Sequence, residues 1–328
     1  MTRAPGTVAG VDRVTLFAFL GVVLVGGANA IGVKQTVHEI APFWGAAIRF
    51  GAAGLLMAAI TLGTRRRLPR GRSLAGAMLY GAVGFGASYG FVYPALRTTP
   101  AGTAGVLIAL VPLLTFAFAI VQKQEVFHPQ GLLGGLIALA GVGVIFADQL
   151  SANVPLPSLV LLLLGTLCIA ETGVIVKWIP RSDPFGTNAV AMLTGGAILL
   201  ALSMAFGEAW VVPSQSATWA AIGYLVVFGS VVMFALYVFT LERWTASAVS
   251  YATLLLPLVT VSLSAVLVNE RISPAFLAGG LVILAGVYVG AFLKIRPRRS
   301  SATSLPECLP IDGCAPAIPT RARAPLRG

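Results

Sequence analysis

Two ionisable residues lie inside long apolar runs of this chain, and they set the first question of chemistry. Glu171 stands six residues before Lys177 in the run 156–178, so about 9 Å deeper at roughly 1.5 Å per helical residue. A carboxyl at that depth binds and releases protons or holds a cationic solute, or it stays protonated and structural. Arg49 stands seven residues past Pro42, about 10 Å in from the other end of its run. A guanidinium there holds a solute carboxylate or phosphate, or braces the fold against helix carbonyls. The brace is the stronger reading. A zwitterion bridging the two is the boldest alternative.

Uncharged polar residues share these runs: Asn29, Ser88, Tyr89, Tyr93, Thr172, Ser230, Tyr237, Tyr251 and Thr253. Amides and phenols orient a solute in an apolar pocket, or they bond neighbouring helices. Asn29, Tyr89, Tyr93, Thr172, Tyr237, Tyr251, Glu171 and Arg49 are therefore the cavity candidates, with Glu171 the candidate for proton coupling. Pro112 and Pro257 should kink their helices and are candidate hinges. Catalytic chemistry finds no foothold. The runs hold no carboxylate pair, no HExxH and no nucleophile beside a base, so no enzyme is expected. No GxxxxGK[ST] loop occurs, so ATP is not a direct energy source. The only histidines, His38 and His128, make no zinc set with Cys168, Cys308 and Cys314, and no metal or other cofactor is expected.

The elements that hold these residues follow from composition. Hydrophobic residues are 57% of the 328, and charged ones 10%. A soluble domain of this size could not cover its surface with so few charges. Apolar stretches of about 20 residues read as membrane helices. Ten can be marked: 14–34, 41–63, 73–93, 100–122, 129–148, 156–178, 184–206, 216–240, 245–268 and 274–294. The runs do not alternate, which disfavours a barrel. Pro42, Pro100, Pro129, Pro184 and Pro274 fit helix starts. Arg3, Arg13 and Ala28-Asn29-Ala30 resemble a cleavable leader. Against that, Ile31-Gly32-Val33-Lys34 is echoed by Val174-Ile175-Val176-Lys177, so the first helix is read as retained.

The net charge of +11 is a matter of topology, and no nucleic-acid partner is expected. With the N-terminus inside, cytoplasmic connections hold fifteen Lys and Arg, and outer ones only Lys34, Arg97 and Arg271. That imbalance sets a cytoplasmic N-terminus and C-terminus in the cytoplasmic (inner) membrane. Residues 1–13 are a cytoplasmic start and 295–328 a disordered cytoplasmic tail that carries Cys308 and Cys314.

A repeat ties the two halves together. Glu125 and Glu270, Pro112 and Pro257, and Pro129 and Pro274 are each 145 residues apart. Gly134-Gly135-Leu136 and Gly279-Gly280-Leu281 hold the same offset, with no gap from 101 to 144. The unit is five helices, 14–148 and again 156–294. An odd number of spans turns the second copy over. The expected fold is thus an all-α membrane protein of ten transmembrane helices, two inverted five-helix repeats around a central cavity. Glu125 and Glu270 are expected to cap the helix that follows each. Gly86 with Gly90, and Gly286 with Gly290, suit close helix contact, which allows a homodimer without requiring one.

These residues carry a family resemblance. Tyr93-Pro94-Ala95-Leu96, Pro100 to Ala104, Pro112, Glu125, Pro129 and Gly134-Gly135 make one half of it. Ala246 to Ser250, Pro257, Glu270, Pro274 and Gly279-Gly280 make the other, and Arg49-Phe50 fits as well. Over residues 14–294 the chain resembles the EamA-type members of the drug/metabolite transporter superfamily. The resemblance implies export or uptake of a small metabolite and does not name it, since family substrates include amino acids, sugars, nucleotides and drugs. With the inverted repeat, the expected function is a secondary transporter of a small organic metabolite, an amino acid or related compound, working by alternating access. A lipid-group flippase, or less readily an intramembrane enzyme, is the alternative.

Overall fold

Backbone groups in an apolar run have only each other to bond with, and here they do so as helix. The computed structural model describes residues 12–147, 154–180, 182–268 and 273–292. Glu270, Arg271, the first eleven residues and the tail with Cys308 and Cys314 lie outside them.

The elements are α1 (Arg13–Thr36), α2 (Pro42–Gly63), α3 (Arg72–Gly81), α4 (Ser88–Leu96), α5 (Ala101–Ile108), α6 (Val111–Val121) and α7 (Pro129–Ile145). Then come α8 (Leu156–Trp178), α9 (Pro184–Ala205), α10 (Ser216–Val226), α11 (Met233–Leu241), α12 (Ala246–Ser250), α13 (Ala252–Val268) and α14 (Pro274–Val287). Among the described residues there is no strand. Eight helical segments are long and apolar enough to cross a bilayer. The expected fifth span is the 17-residue α7, shorter than those eight. The expected third span is continuous from α3 to α4 but passes through a π-helical turn, Ala82–Ala87. A second π-helical turn, Val227–Val232, joins α10 to α11. These two π turns begin 145 residues apart, at Ala82 and Val227; a third, Tyr288–Phe292, follows α14.

Local chemistry explains where helices begin. Pro42, Pro129, Pro184 and Pro274 are each the first residue of a helix, and Pro100 precedes α5 directly. A proline has no N–H to leave unbonded there. Asp183 and Ser273 accept backbone N–H bonds at the starts of α9 and α14. Gly207 ends α9 at φ +64°, a left-handed turn that needs no side chain. The expected kink at Pro112 is a break instead. Helix α5 stops at Ile108 and Pro112 sits in the first turn of α6, where its missing donor is not needed. Pro257 does lie inside α13.

Small residues set the helix contacts. A Cβ on Gly141 would sit 2.7 Å from the Gly279 carbonyl, and one on Gly279 would sit 2.6 Å from the Gly141 carbonyl. Helices α7 and α14 therefore cross backbone to backbone. The faces of Gly86, Gly90, Gly286 and Gly290 are filled from within the chain, by Ile198, Leu202, Ala138 and Tyr251 in turn. They are contacts inside one molecule and leave no room for a dimer partner there.

Candidate functional site

Residues of α4, α5, α6, α8, α11, α12 and α13, with Val22 of α1 and Gly84 of the first π turn, wall a cavity of about 310 Å³. Tyr89, Phe234 and Tyr237 give it three aromatic rings. Their packing fixes them: Tyr89 meets Phe50 edge-on at 5.0 Å, and Phe234 meets Phe85 edge-on at 4.8 Å. Ser88, Thr115, Thr172, Ser250 and Thr253 bring five hydroxyls. The rest of the wall is aliphatic, Met or Gly, and no charged side chain lines it among the described residues.

Each hydroxyl is already engaged as a donor. Ser88 donates to the Gly84 carbonyl, Thr172 to Cys168, Ser250 to Ser247 and Thr253 to Ser250. Thr115 donates across to the Ala170 carbonyl of α8 at 3.1 Å. The phenols of Tyr89 and Tyr237 have no hydrogen-bond partner among the described residues. Polar surface of this kind orients a solute without charge.

The lining repeats at a fixed interval. Ser88 and Met233, Tyr89 and Phe234, Val92 and Tyr237, Ile108 and Thr253, and Val111 and Leu256 all line the cavity. Every one of these pairs is separated by 145 residues in the sequence.

The ionisable candidates stand behind the wall, not on it. Arg49 is buried, 4% exposed. Its Nε donates to Ser230 Oγ at 2.9 Å and one terminal nitrogen to the Gly229 carbonyl at 2.8 Å. Both acceptors belong to the second π turn. An i→i+5 register leaves carbonyls short of partners, and a guanidinium supplies them. Asn29 donates to the same Gly229 carbonyl at 3.1 Å and to the Met233 sulfur at 3.2 Å. Its own Oδ1 is buried without a partner. Glu171 accepts from Gln122 at 2.6 Å, one position from the cavity residue Thr172. Tyr251 donates to the Gly131 carbonyl at 2.8 Å and so ties α7 to the α12–α13 junction. Tyr93 stacks edge-on against Tyr89, 5.2 Å away, outside the lining. Of the eight cavity candidates, three form the wall: Tyr89, Thr172 and Tyr237.

Carboxylates fasten the two ends. The Glu125 carboxylate accepts from the Ser247 backbone N at 3.0 Å and from the Ser247 hydroxyl. It caps α12, not the α7 that follows it. The α7 start is already taken by His128, whose Nδ1 accepts from Gly131 N at 3.1 Å. At the opposite end Glu208 accepts from the backbone of Phe43 and Trp44, 3.2 and 2.8 Å away, and caps α2. Nearby Glu39 accepts from Ser214 and Gln215 and caps α10. The Ser214 hydroxyl, with the help of its neighbours, holds the Glu39 carboxyl below the usual carboxylate range. Sequence reading assigns no capping role to His128, Glu208 or Glu39. Their signal was present: each stands within a few residues of a helix boundary, where free N–H groups need an acceptor.

A cavity between membrane-spanning helices, repeated in its own lining, suits a carrier, and the comparisons agree. The model of the EamA-like transporter family matches residues 13–147 and again 156–291. The inner membrane transporter YedA of Escherichia coli strain K12, described as uncharacterized, is 29% identical over 280 residues, covering 83% of this chain and 89% of its own. A probable amino-acid metabolite efflux pump of Salmonella typhimurium is 26% identical over 305 residues, covering 88% of this chain and 98% of its own. A solved crystal structure shares the fold with a TM-score of 0.73 at 20% identity, covering 85% of this chain and 96% of that one. The chain is a multi-pass membrane protein, a transporter and not an enzyme, and it belongs to the EamA-like transporter family.

Proposed function

We propose that the chain is a secondary transporter that carries a small organic metabolite across the cytoplasmic membrane by alternating access, with both termini cytoplasmic. On this reading it comprises ten membrane helices in two inverted repeats, 14–148 and 156–294. The observation that carries the reading is the lining of the cavity, in which five pairs of wall residues stand 145 positions apart. A site built from equivalent positions of two inverted copies belongs equally to both. Each copy can then take the role of the other, which exchanges the open face. The π turns at Ala82–Ala87 and Val227–Val232, at the same spacing and directly before the paired wall residues, support it further. The substrate we assign is an amino acid or related compound, and the direction is outward. The efflux named for the Salmonella relative motivates both.

Glu171 is the proton-coupling candidate. It is one residue from the wall, and its partner Gln122 is the residue that ends α6, which packs against α8. Moving a proton on or off this carboxyl changes what Gln122 can donate to and thus the α6–α8 contact.

The test uses purified protein in liposomes loaded with amino-acid and metabolite pools, with release followed with and without a pH gradient. Wild-type release should exceed protein-free release and depend on the gradient, and Glu171→Gln should remove the dependence. Release that ignores both gradient and mutation would leave a facilitator. No release of any pool would sink the transporter of small metabolites and return lipid groups as the cargo.

A further inference from the structure

The wall of the cavity is specific about charge. A carboxylate drawn into an apolar space needs a cation or several donors, and an ammonium, whose charge hydroxyl lone pairs alone do not neutralise, needs a carboxylate. Neither stands on the wall. Arg49 is turned to Gly229 and Ser230, and Glu171 to Gln122. The Ser and Thr hydroxyls give their protons to backbone carbonyls and present only lone pairs. The donors left without a partner are the phenols of Tyr89 and Tyr237, on opposite halves of the lining.

We infer that the solute is uncharged, carries an aromatic or similarly flat apolar body, and is held through hydrogen-bond acceptors by the Tyr89 and Tyr237 hydroxyls. This rests on the transporter reading and narrows its substrate: the ring-bearing neutral member of an amino-acid-like series, with its amine and carboxyl masked as amide or ester, fits where the free zwitterion does not. The three rings of Tyr89, Phe234 and Tyr237 flank the body by offset or edge contact. A volume of about 310 Å³ is at the small end of ligand sites, which limits the solute to one ring system with a short polar arm.

A charge series on one skeleton tests it. N-acetylphenylalaninamide is neutral, phenylalanine zwitterionic, N-acetylphenylalanine anionic, and phenylalaninamide cationic at about pH 6. Each is titrated by calorimetry into the full chain in lipid nanodiscs, beside Tyr89→Phe, Tyr237→Phe and the double variant. The neutral compound should bind about tenfold tighter than any charged one, since a desolvated charge without a partner costs more than that. Each Tyr→Phe change should weaken it by roughly threefold to tenfold, the worth of one hydrogen bond. A charged member binding as tightly as the neutral one overturns the inference. So does a double variant with unchanged affinity, or no binding by any member. Protein-dependent flux in liposomes separates this from the broader reading. Binding of the neutral compound with no flux above protein-free vesicles keeps the ligand class and sinks transport of it. Flux of a charged member alone keeps the transporter and sinks the ligand class.

Discussion

The cavity and the shell behind it treat polar groups in opposite ways. In the shell the charges of Arg49, Glu125, Glu208 and Glu39 are each tied to a fixed partner. Arg49 holds the second π turn, Glu125 caps α12, Glu208 caps α2, and Glu39 caps α10. Among the described residues the wall carries no charge, and two phenols are left with nothing to bond. Charges in a low-dielectric setting are strong and hard to re-pair. A site that must take up and release a solute is better made of weak groups, while the frame around it benefits from strong ones. The comparison says that substituting shell residues should act on stability, and substituting wall residues on binding.

The sharpest break is at Arg49. Arg49→Leu removes two charge-assisted hydrogen bonds and leaves the Gly229 carbonyl with Asn29 alone. The expected loss is about 3 kcal/mol, read as a fall in unfolding midpoint in detergent. Next comes Glu125→Ala, which uncaps α12 across a span of 122 residues and should cost roughly 1–2 kcal/mol in the same assay. Glu208→Ala should cost about 1 kcal/mol, because the carboxylate also holds Ser203 and its loss frees the start of α2. Glu39 gives a smaller, pH-dependent effect. Its carboxyl is held below the ordinary range in the folded state, so it stabilises above its unfolded pKa and ceases to as pH falls through its folded one. Stability of the wild type should therefore decline on the acid side more than that of Glu39→Gln, measured by unfolding across a pH series. Smallest of all, Tyr89→Phe and Tyr237→Phe should move the unfolding midpoint by less than about 0.5 kcal/mol while they weaken ligand binding. A large stability loss in either would erase the distinction between wall and shell.

Much of this division can be read from the residues, and the parts that cannot share one cause. Helical membrane character is legible because apolar runs of about 20 residues have few other uses. Depth is legible too: Glu171 and Arg49 were placed by counting along a helix, and both lie within spans. What counting along one helix does not provide is the partner. Gln122 for Glu171, Ser247 for Glu125 and the Gly229 carbonyl for Arg49 are 49, 122 and 180 residues away. The bracing chemistry of Arg49 is legible in kind, since a buried guanidinium has few alternatives to carbonyl oxygens. A cap by Glu125 is legible in kind but not in target: it caps α12, because His128 already holds the nearer helix start. The π turns at Ala82–Ala87 and Val227–Val232 left no mark in residue type. They are a change of hydrogen-bond register, and side-chain hydropathy does not report register.

That change of register acts as a phase stop. A π turn inserts a slip into the angular count along a helix, so residues beyond it point where an uninterrupted α-helix would not send them. In the two runs with Ala82–Ala87 and Val227–Val232, the residues just past the slip are Ser88 and Tyr89, and Met233 and Phe234, which face the cavity. The slip decouples the azimuth of the wall from that of the helix before it. A bundle can thus keep its lipid-facing surface in step with its neighbours at one end while its inner face is set to a different phase in the middle.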